Sequence, residues 1–473
     1  MLHTFHRIRA ILPRLALLLC VATPTAYADL PTLGDPTLAS LSSREEAQMG
    51  LTYYRTLKAG LHFIEDTQLN NYLSSLGQKL VTQSDEAGRQ FTFFIVNSPV
   101  INAFALPAGY IGVHSGLFLD ADNESQLASV LAHEISHVTQ RHIARQYDSS
   151  GSSTAAGIAT ILAAILVGSR DSEAGQAVLM GGLAGTQQAS INFTRQNEYE
   201  ADRIGIGLLA QAGINPEGMV EFFEHLLSRS SGLQIEYLST HPLDINRVTE
   251  AKNRISEADR KLPKDSDDFK FAKARLAVLS SNNNGLHALI EANKNIHSTI
   301  SDYLTALALI RIDRPEQAIS ILDRLAREND HPWIKLAQAE AYTADGKHAQ
   351  ALKILEKLNQ LYPGYLPATV AYARALNSSN DPQHSIKLLL HQLQQDNLPV
   401  LRELLAQSYF MNGQISAALE ATGDQYALEG YYELALQQYE NALKQPELSD
   451  TRKQRLETQK TNLLELKREN ESN

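Results

Sequence analysis

Five consecutive residues, His133-Glu134-Ile135-Ser136-His137, restrict this chain more than any other feature. They continue an apolar run, Gln126-Leu127-Ala128-Ser129-Val130-Leu131-Ala132, that reads as a buried helix. Residues four apart share one face of a helix, so His133 and His137 can aim both imidazoles at a single ion. Glu134 lies one step round from His133, close enough to hold a metal-bound water without being a ligand. Two ligands and a general base within five residues are the arrangement of a zinc peptidase. The pattern obliges the fold to bring in a third protein ligand from elsewhere in the chain.

At 473 residues the chain is too long for one ordinary core and is expected to divide into two or three domains. Its 43% hydrophobic and 20% charged content is that of a globular protein. The N-terminus stands apart. Arg7, Arg9 and Arg14 precede or open the apolar run 15–21, and Ala26-Tyr27-Ala28 forms a small-x-small cleavage site before Asp29. That order of charge, short apolar core and small residues predicts a signal peptide over 1–28, cleaved near Ala28, and export to the periplasm. The single cysteine, Cys20, falls inside it, so the mature chain cannot rest on disulfides. Removing the three arginines takes the formal net charge from −11 to −14, which argues against a nucleic-acid partner. No later stretch reaches the roughly 18–20 apolar residues of a membrane span.

The catalytic domain is expected over 29–262, and its first part, residues 29 to about 95, mixes helical and extended signals. Ser42 or Ser43 before Glu45-Glu46 marks a helix start. Phe91-Thr92-Phe93-Phe94-Ile95-Val96 and Tyr110-Ile111-Gly112-Val113 read as strands, with Asn102 to Tyr110 between them as a turn or strand edge. Two or three strands followed by the metal helix predict an α+β catalytic domain. The segment 155–184 carries two apolar pieces, each below spanning length. They are expected to form a buried helical hairpin; the alternative is an exposed lid, or a docking surface touching a partner or the membrane periphery. Charged, turn-like residues near 256–268 mark the domain boundary, and 263–473 are expected to be all helical. Ala318 and Ala351 lie 33 residues apart in similar surroundings, each followed by a leucine at +4, Leu322 and Leu355. Gly423, Tyr426, Gly430, Ala435, Tyr439 and Ala442 repeat the small/large spacing of a tetratricopeptide repeat, out of phase with the frame of Ala418. An irregular solenoid of about four repeats with a charged terminal cap over 450–473 follows.

The third ligand is best sought in Asn192-Phe193-Thr194-Arg195-Gln196-Asn197-Glu198-Tyr199-Glu200-Ala201-Asp202-Arg203. Glu198 and Asp202 are four apart and share a helix face, so one acid can bind zinc while the other orients a ligand histidine. Glu200 is expected to point elsewhere, into solvent. Continuing the helix, His142 falls about 140° round from His137 and is expected to face away from the metal. His114 ends a strand and reads as structural.

The His133-Glu134-x-x-His137 motif, the Glu198-Tyr199-Glu200-Ala201-Asp202 segment about sixty residues later, and Asn102-Ala103-Phe104-Ala105-Leu106-Pro107 together resemble the gluzincin peptidases related to HtpX and the CAAX prenyl proteases. The signal peptide, the missing spans and the C-terminal repeats resemble the soluble periplasmic branch of that family, over nearly the whole mature chain. The resemblance implies one Zn2+ per chain held by His133, His137 and Glu198, with Asp202 behind a ligand histidine and Glu134 as general base. It implies that 102–107 is an edge strand near the substrate; where the family has a Pro-Gly-Gly turn, this chain has Pro107-Ala108-Gly109. Thr240-His241-Pro242-Leu243-Asp244-Ile245-Asn246-Arg247 matches the branch's His-Pro-x4-Arg segment. There the histidine approaches the metal, as a resting-state gate or a transition-state aid, with the arginine nearby; His241 and Arg247 are thus catalytic candidates for stabilising the oxyanion.

The resulting expectation is an α+β gluzincin-type metallopeptidase domain followed by an all-α tetratricopeptide-repeat solenoid. Its activity would be exported zinc endopeptidase cleavage of misfolded or stalled envelope proteins. By resemblance, the partners recruited through the repeats are the outer-membrane β-barrel assembly machinery and its clients. The alternative is a chaperone or scaffold for outer-membrane protein assembly whose peptidase site is largely latent.

Overall fold

The computed structural model describes residues 42–145, 162–168, 174, 175, 178, 187–230, 235–446 and 448–471. The expected signal peptide 1–28 and most of the apolar segment 155–184 lie outside the described residues. A capping box starts α1 (Ser43–Gly60): the Ser42 hydroxyl accepts from the Glu45 N–H while the Glu45 carboxylate accepts from the Ser42 N–H. Asp66 caps α2 (Thr67–Val81) in the simpler one-sided way.

Three short strands form one sheet in the order β1-β3-β2. β1 (Thr92–Val96) runs parallel to β3 (Tyr110–His114), and β2 (Ala103–Leu106) runs antiparallel to β3 as an outer strand. The β2–β3 turn puts Ala108 in the left-handed region at φ 63°, which costs a non-glycine residue about 1–2 kcal/mol. Glu46 offsets that cost: its buried carboxylate accepts the Ala108 N–H at 3.2 Å and pairs with Arg89 at 2.6 Å. Gly50 of α1 lies against the same turn, where a Cβ would stand 2.2 Å from the Pro107 carbonyl oxygen. The alanine in this turn is therefore clamped by α1.

After α3 (Ser115–Asp120), Asn123 caps α4 (Glu124–Thr139), the helix of the His-Glu-x-x-His motif. Thirteen of its sixteen residues are buried, because α2, β2, α5 (Gln187–Gln211) and α6 (Glu217–Ser230) pack round it. Two shorter helices, α7 (Glu236–Thr240) and α8 (Ile245–Arg254), close this layer. Of the apolar segment, 162–168 is helical, and Leu162 and Ile165 pack with Leu57, Phe94 and Phe104.

Twelve helices follow: α9 (Asp267–Leu279), α10 (Asn283–Asn293), α11 (Thr299–Arg311), α12 (Pro315–Glu328), α13 (Pro332–Ala344), α14 (His348–Leu361), α15 (Leu366–Ser378), α16 (Pro382–Gln392), α17 (Pro399–Met411), α18 (Ile415–Leu428), α19 (Tyr432–Leu443) and α20 (Asp450–Glu471). Asp313, Gly346, Asn380 and Gly413 each turn the chain with positive φ at spacings of 33, 34 and 33 residues. Gly430 does so only 17 residues later, half a repeat, so the register slips by one helix at α18–α19. That slip is the phase break between Ala418 and Ala435.

The apolar core does not stop at residue 262. One buried cluster runs from Leu69 and Leu131 through Phe269 and Phe271 to Trp333 and Ala337. Phe118 and Phe269 stack at 5.9 Å, and the buried Arg275 of α9 grips Asp66 with its Nε and Nη2. The far end of the array returns to α1. Arg55 donates to the Gly430 carbonyl at 2.9 Å and lies 4.3 Å over the Tyr431 ring, and Lys58 pairs with Glu429.

Candidate metal centre

Three elements separated in sequence meet at the C-terminal half of α4. α4 supplies His133, Glu134 and His137; α5 supplies Glu198 and Asp202 from one face; the α7–α8 connection supplies His241 and α8 supplies Arg247. The helix spacings read from sequence account for the first two groups. His241 is placed by what precedes it. The Tyr237 N–H donates to the Ile101 carbonyl, the Asn102 amide donates to Glu236, and the Tyr237 ring stacks on His241 at 4.6 Å.

His133 Nε2 lies 3.0 Å from His137 Nε2, 3.2 Å from His241 Nδ1 and 3.3 Å from Glu198 Oε2. Glu198 Oε1 lies 3.4 Å from His137 Nε2 and 3.2 Å from His241 Nδ1. Tetrahedral coordination at ordinary zinc–nitrogen and zinc–oxygen lengths spaces its donors by about 3.3 Å. Five donor contacts of 3.0–3.4 Å therefore lie near that spacing, Glu198 reaching His133 through Oε2 and His137 through Oε1. Imidazole nitrogens facing one another in a buried site cannot all be satisfied by protons. The donor set fits a metal cation.

Charge agrees with donor chemistry. Three carboxyl groups, Glu134, Glu198 and Asp202, are buried here; Arg247 pairs with Glu198 and Asp202, and Glu134 lies against His241. Burial alone would lower His133, but Glu198 and Asp202 outweigh it and push the imidazole up to about 10. Burial holds His137 down to about 4. Burial would raise Glu198, yet His241 and His133 keep it well below the usual carboxylate range. Asp202 is likewise lowered against its burial, by hydrogen bonds from His133 and Arg247.

Asp202 Oδ1 lies 2.9 Å from His133 Nδ1. Arg247 grips Asp202 with Nε at 2.7 Å and Nη2 at 2.8 Å, and its Nη1 reaches Glu198 at 2.9 Å and the Pro242 carbonyl at 2.8 Å. With all three of its nitrogens engaged in the buried interior, it fixes the acids. Glu134 Oε1 is buried without a hydrogen-bond partner, 3.4 Å from His241 Nε2. His241 thus sits between the donor cage and Glu134.

Two residues differ from the sequence expectation. α4 ends at Thr139, and Arg141 turns the chain at φ 51°, so helical periodicity does not extend to His142. His142 instead comes back onto the site, with Nδ1 2.8 Å from His137 Nδ1 and Nε2 3.1 Å from Glu200 Oε2. Glu200, expected in solvent, also takes a 2.6 Å hydrogen bond from Arg145. The signal that could have found them is Gln140-Arg141-His142: a helix end there lets a histidine fold back. His114 ends β3, fully buried against Phe104 and outside the cage, and burial lowers it to about 4.

Known proteins agree with this geometry. The peptidase family M48 matches residues 67–255 and the tetratricopeptide repeat matches residues 342–408. The chain is 34% identical, over 93% of each chain, to the beta-barrel assembly-enhancing protease of Escherichia coli (strain K12). It is 32% identical to the putative beta-barrel assembly-enhancing protease of Vibrio cholerae serotype O1, over 92% of this chain and 93% of that one. A shorter likeness, 29% identity over 39% of this chain and 72% of that one, links it to the metalloprotease LoiP of Escherichia coli (strain K12). With a donor cage inside the matched region and a helical array after it, the chain belongs to peptidase family M48 and is a metalloendopeptidase carrying C-terminal tetratricopeptide repeats.

Proposed function

We propose that this chain is a periplasmic zinc endopeptidase, latent at rest, that cleaves misfolded or stalled outer-membrane proteins at the β-barrel assembly machinery. The observation that carries the reading is the cage of donors from His133, His137, Glu198 and His241, with Glu134 Oε1 at its edge 3.4 Å from His241 Nε2. His133, His137 and Glu198 would hold one zinc ion. A zinc ion there supplies Lewis acidity, making water nucleophilic near neutral pH and polarising a peptide carbonyl.

The protein's own groups do the rest. Glu134 takes the proton of the attacking water and hands it to the leaving amine. Asp202 fixes the ring of His133, and Arg247 positions Asp202 and Glu198. His241 Nδ1 takes the fourth corner of the cage, the place that water and substrate need, so His241 has to withdraw before turnover. An extended substrate adds along β2, an outer strand, and gains main-chain affinity with little sequence demand.

The signal peptide 1–28 supports export, and among the described residues no helix is long and apolar enough to cross a membrane. We divide the mature chain into a catalytic part, 29–262, and a recruiting array, 263–473, joined by a shared core. Repeats recruit protein partners, and the relatives' names support assembly clients as those partners. The position of His241 favours a second reading, an assembly chaperone whose peptidase site stays silent.

Metal analysis of wild type and Glu198→Gln tests the cage. One zinc per chain is expected in the former and a large loss in the latter; full metal and activity in Glu198→Gln would place the third ligand elsewhere. Casein digestion by wild type and His241→Ala tests latency. Faster cleavage by His241→Ala is expected, whereas no cleavage by either form with zinc bound would favour the chaperone.

A further inference from the structure

The cage is backed on two sides, and only one of them follows from a helix spacing, that of Glu198 and Asp202. On the first side His133 Nδ1 meets Asp202, and Asp202 is pinned by Arg247. On the second side, among the described residues, no carboxylate meets His137 at its Nδ1. Its Nδ1 meets the Nδ1 of another imidazole, His142, at 2.8 Å.

Two nitrogens at that distance share one hydrogen, and the rest of the network assigns it. His137 Nε2 faces the donor cage and must present its lone pair there, so a neutral ring carries its proton on Nδ1. His142 Nδ1 then accepts, which leaves the His142 proton on Nε2, 3.1 Å from Glu200 Oε2. Glu200 accepts in turn from Arg145 Nη2, and Arg145 Nη2 also donates to Asn197 Oδ1 at 3.1 Å. Every ring nitrogen has a role and none is left over. Both arms end alike, in a carboxylate held by an arginine: His133–Asp202–Arg247 and His137–His142–Glu200–Arg145.

The geometry points to His142 as a positioning residue of the metal centre, which carries the orienting pull of the Glu200 carboxylate onto His137. This rests on the reading of His137 as a ligand. The extra imidazole has a geometric cause. Glu200 lies two residues before Asp202 on α5 and so points to a different side of that helix. The Arg141 turn brings His142 back to span the gap. The arms also differ in their surroundings. Asp202 and Arg247 are sealed in the interior, whereas Glu200 and Arg145 open onto a cleft of about 450 Å³ lined by Asn197, Tyr199, Arg203 and Glu250. The second arm is therefore one that solvent, ions or a neighbouring segment can reach, while the first is fixed.

Zinc affinity by chelator competition on the full chain tests the relay. His142→Phe keeps a ring and removes both nitrogens; it is expected to weaken zinc about 10- to 100-fold. Glu200→Gln is expected to weaken it less, roughly tenfold, since an acceptor oxygen remains. His142→Gln can accept from His137 and donate to Glu200 through one amide, and it is expected to recover most of the loss. A packing role would not predict that recovery. Nitrogen-15 histidine spectra of the zinc-loaded wild type are expected to show His142 protonated on Nε2. Wild-type affinity in His142→Phe, or a His142 protonated on Nδ1, overturns the relay. His137→Ala separates the two readings. If it loses zinc while His142→Phe does not, only the relay is wrong; if it keeps zinc, the ligand assignment itself is wrong. Should His142→Phe fail to fold, Glu200→Gln at its partly exposed site still decides: unchanged affinity there also overturns the relay.

Discussion

The metal helix α4 is buried along nearly its whole length and the repeat helices along one face, and the two are held in opposite ways. α4 buries Gln126, Ser129, His133, Glu134 and Ser136 among its leucines; Gln126, Ser129 and Ser136 bond within a turn or so, while the partners of His133 and Glu134 come from far along the chain. His133 meets groups 69 and 108 residues away, in Asp202 and His241. Away from its contacts with α1 and α2, the array satisfies itself locally. Tyr439 bonds Asp424 at a separation of 15 residues, Arg402 pairs with Asp424 at 22, and Ser385 meets Ser408 at 23. Its packing sets small residues against large ones: a Cβ on Gly423 would stand 2.4 Å from the Tyr439 ring. One region is a long-range polar network that only the finished fold can assemble. The other is a sum of neighbouring contacts, so damage to each should stay in kind.

The largest effect is expected from Glu134→Gln. The amide keeps the shape of the side chain but cannot accept a proton, so peptide hydrolysis should fall by about 10²- to 10⁴-fold. Zinc content and unfolding midpoint should stay at wild-type values, because Glu134 Oε1 holds no hydrogen bond in the fold. A comparable fall in stability would mean that the centre's chemistry and its architecture cannot be separated.

Next comes Leu401→Ala in α17. Leu401 is fully buried in a cluster with Val370, Leu389, Leu405 and Ala421 that is separate from the core round α4. Emptying it should cost the array about 2–5 kcal/mol, seen as a lowered denaturation midpoint of the repeat region. Zinc affinity should not move. Loss of zinc in this variant would break the comparison, by showing that the array and the cage unfold as one unit. The shared cluster reaching Trp333 and the Arg275–Asp66 pair make the first repeats the part of the array where such coupling is strongest.

The same contrast explains what the sequence disclosed. His133, Glu134 and His137 were legible because helical spacing alone sets their geometry, and Glu198 with Asp202 for the same reason. The repeats were legible because Ala318 and Ala351 recur at a fixed period, down to the half-repeat slip between Ala418 and Ala435. His142 was not legible: its position depends on α4 ending at Thr139 and on the left-handed Arg141, neither of which periodicity announces. Arg247 could be put near the site by its segment, but its hold on both Asp202 and Glu198 is a contact between α8 and α5 that only tertiary packing creates. The clamp of Glu46 on the Ala108 turn is equally non-local, joining residues 62 apart.

The smallest effect concerns an acid that the polar network leaves half satisfied. Glu236 Oε1 accepts from Asn102 at 2.9 Å, but among the described residues Oε2 has no hydrogen-bond partner and lies against Gly168, where a Cβ would stand 2.7 Å away. The array treats its buried acid otherwise: Glu420 has both Arg452 and Arg455. Burial pushes Glu236 up to about 7, only partly opposed by the Asn102 amide. A carboxyl raised in the folded state holds its proton where the unfolded chain has released it. Stability is then lost as pH rises from about 4.5 to about 7, and the full cost is present above 7. Glu236→Gln keeps the Asn102 contact without the charge. It should stabilise the protein by about 1 kcal/mol at pH 8, with the gain shrinking towards pH 5, as measured by urea midpoints at both values. An equal gain at both pH values would trace the effect to packing beside Gly168. No gain at pH 8 would mean that the ionised carboxylate finds water or a partner there, and that this corner of the catalytic region is as well satisfied as the repeats.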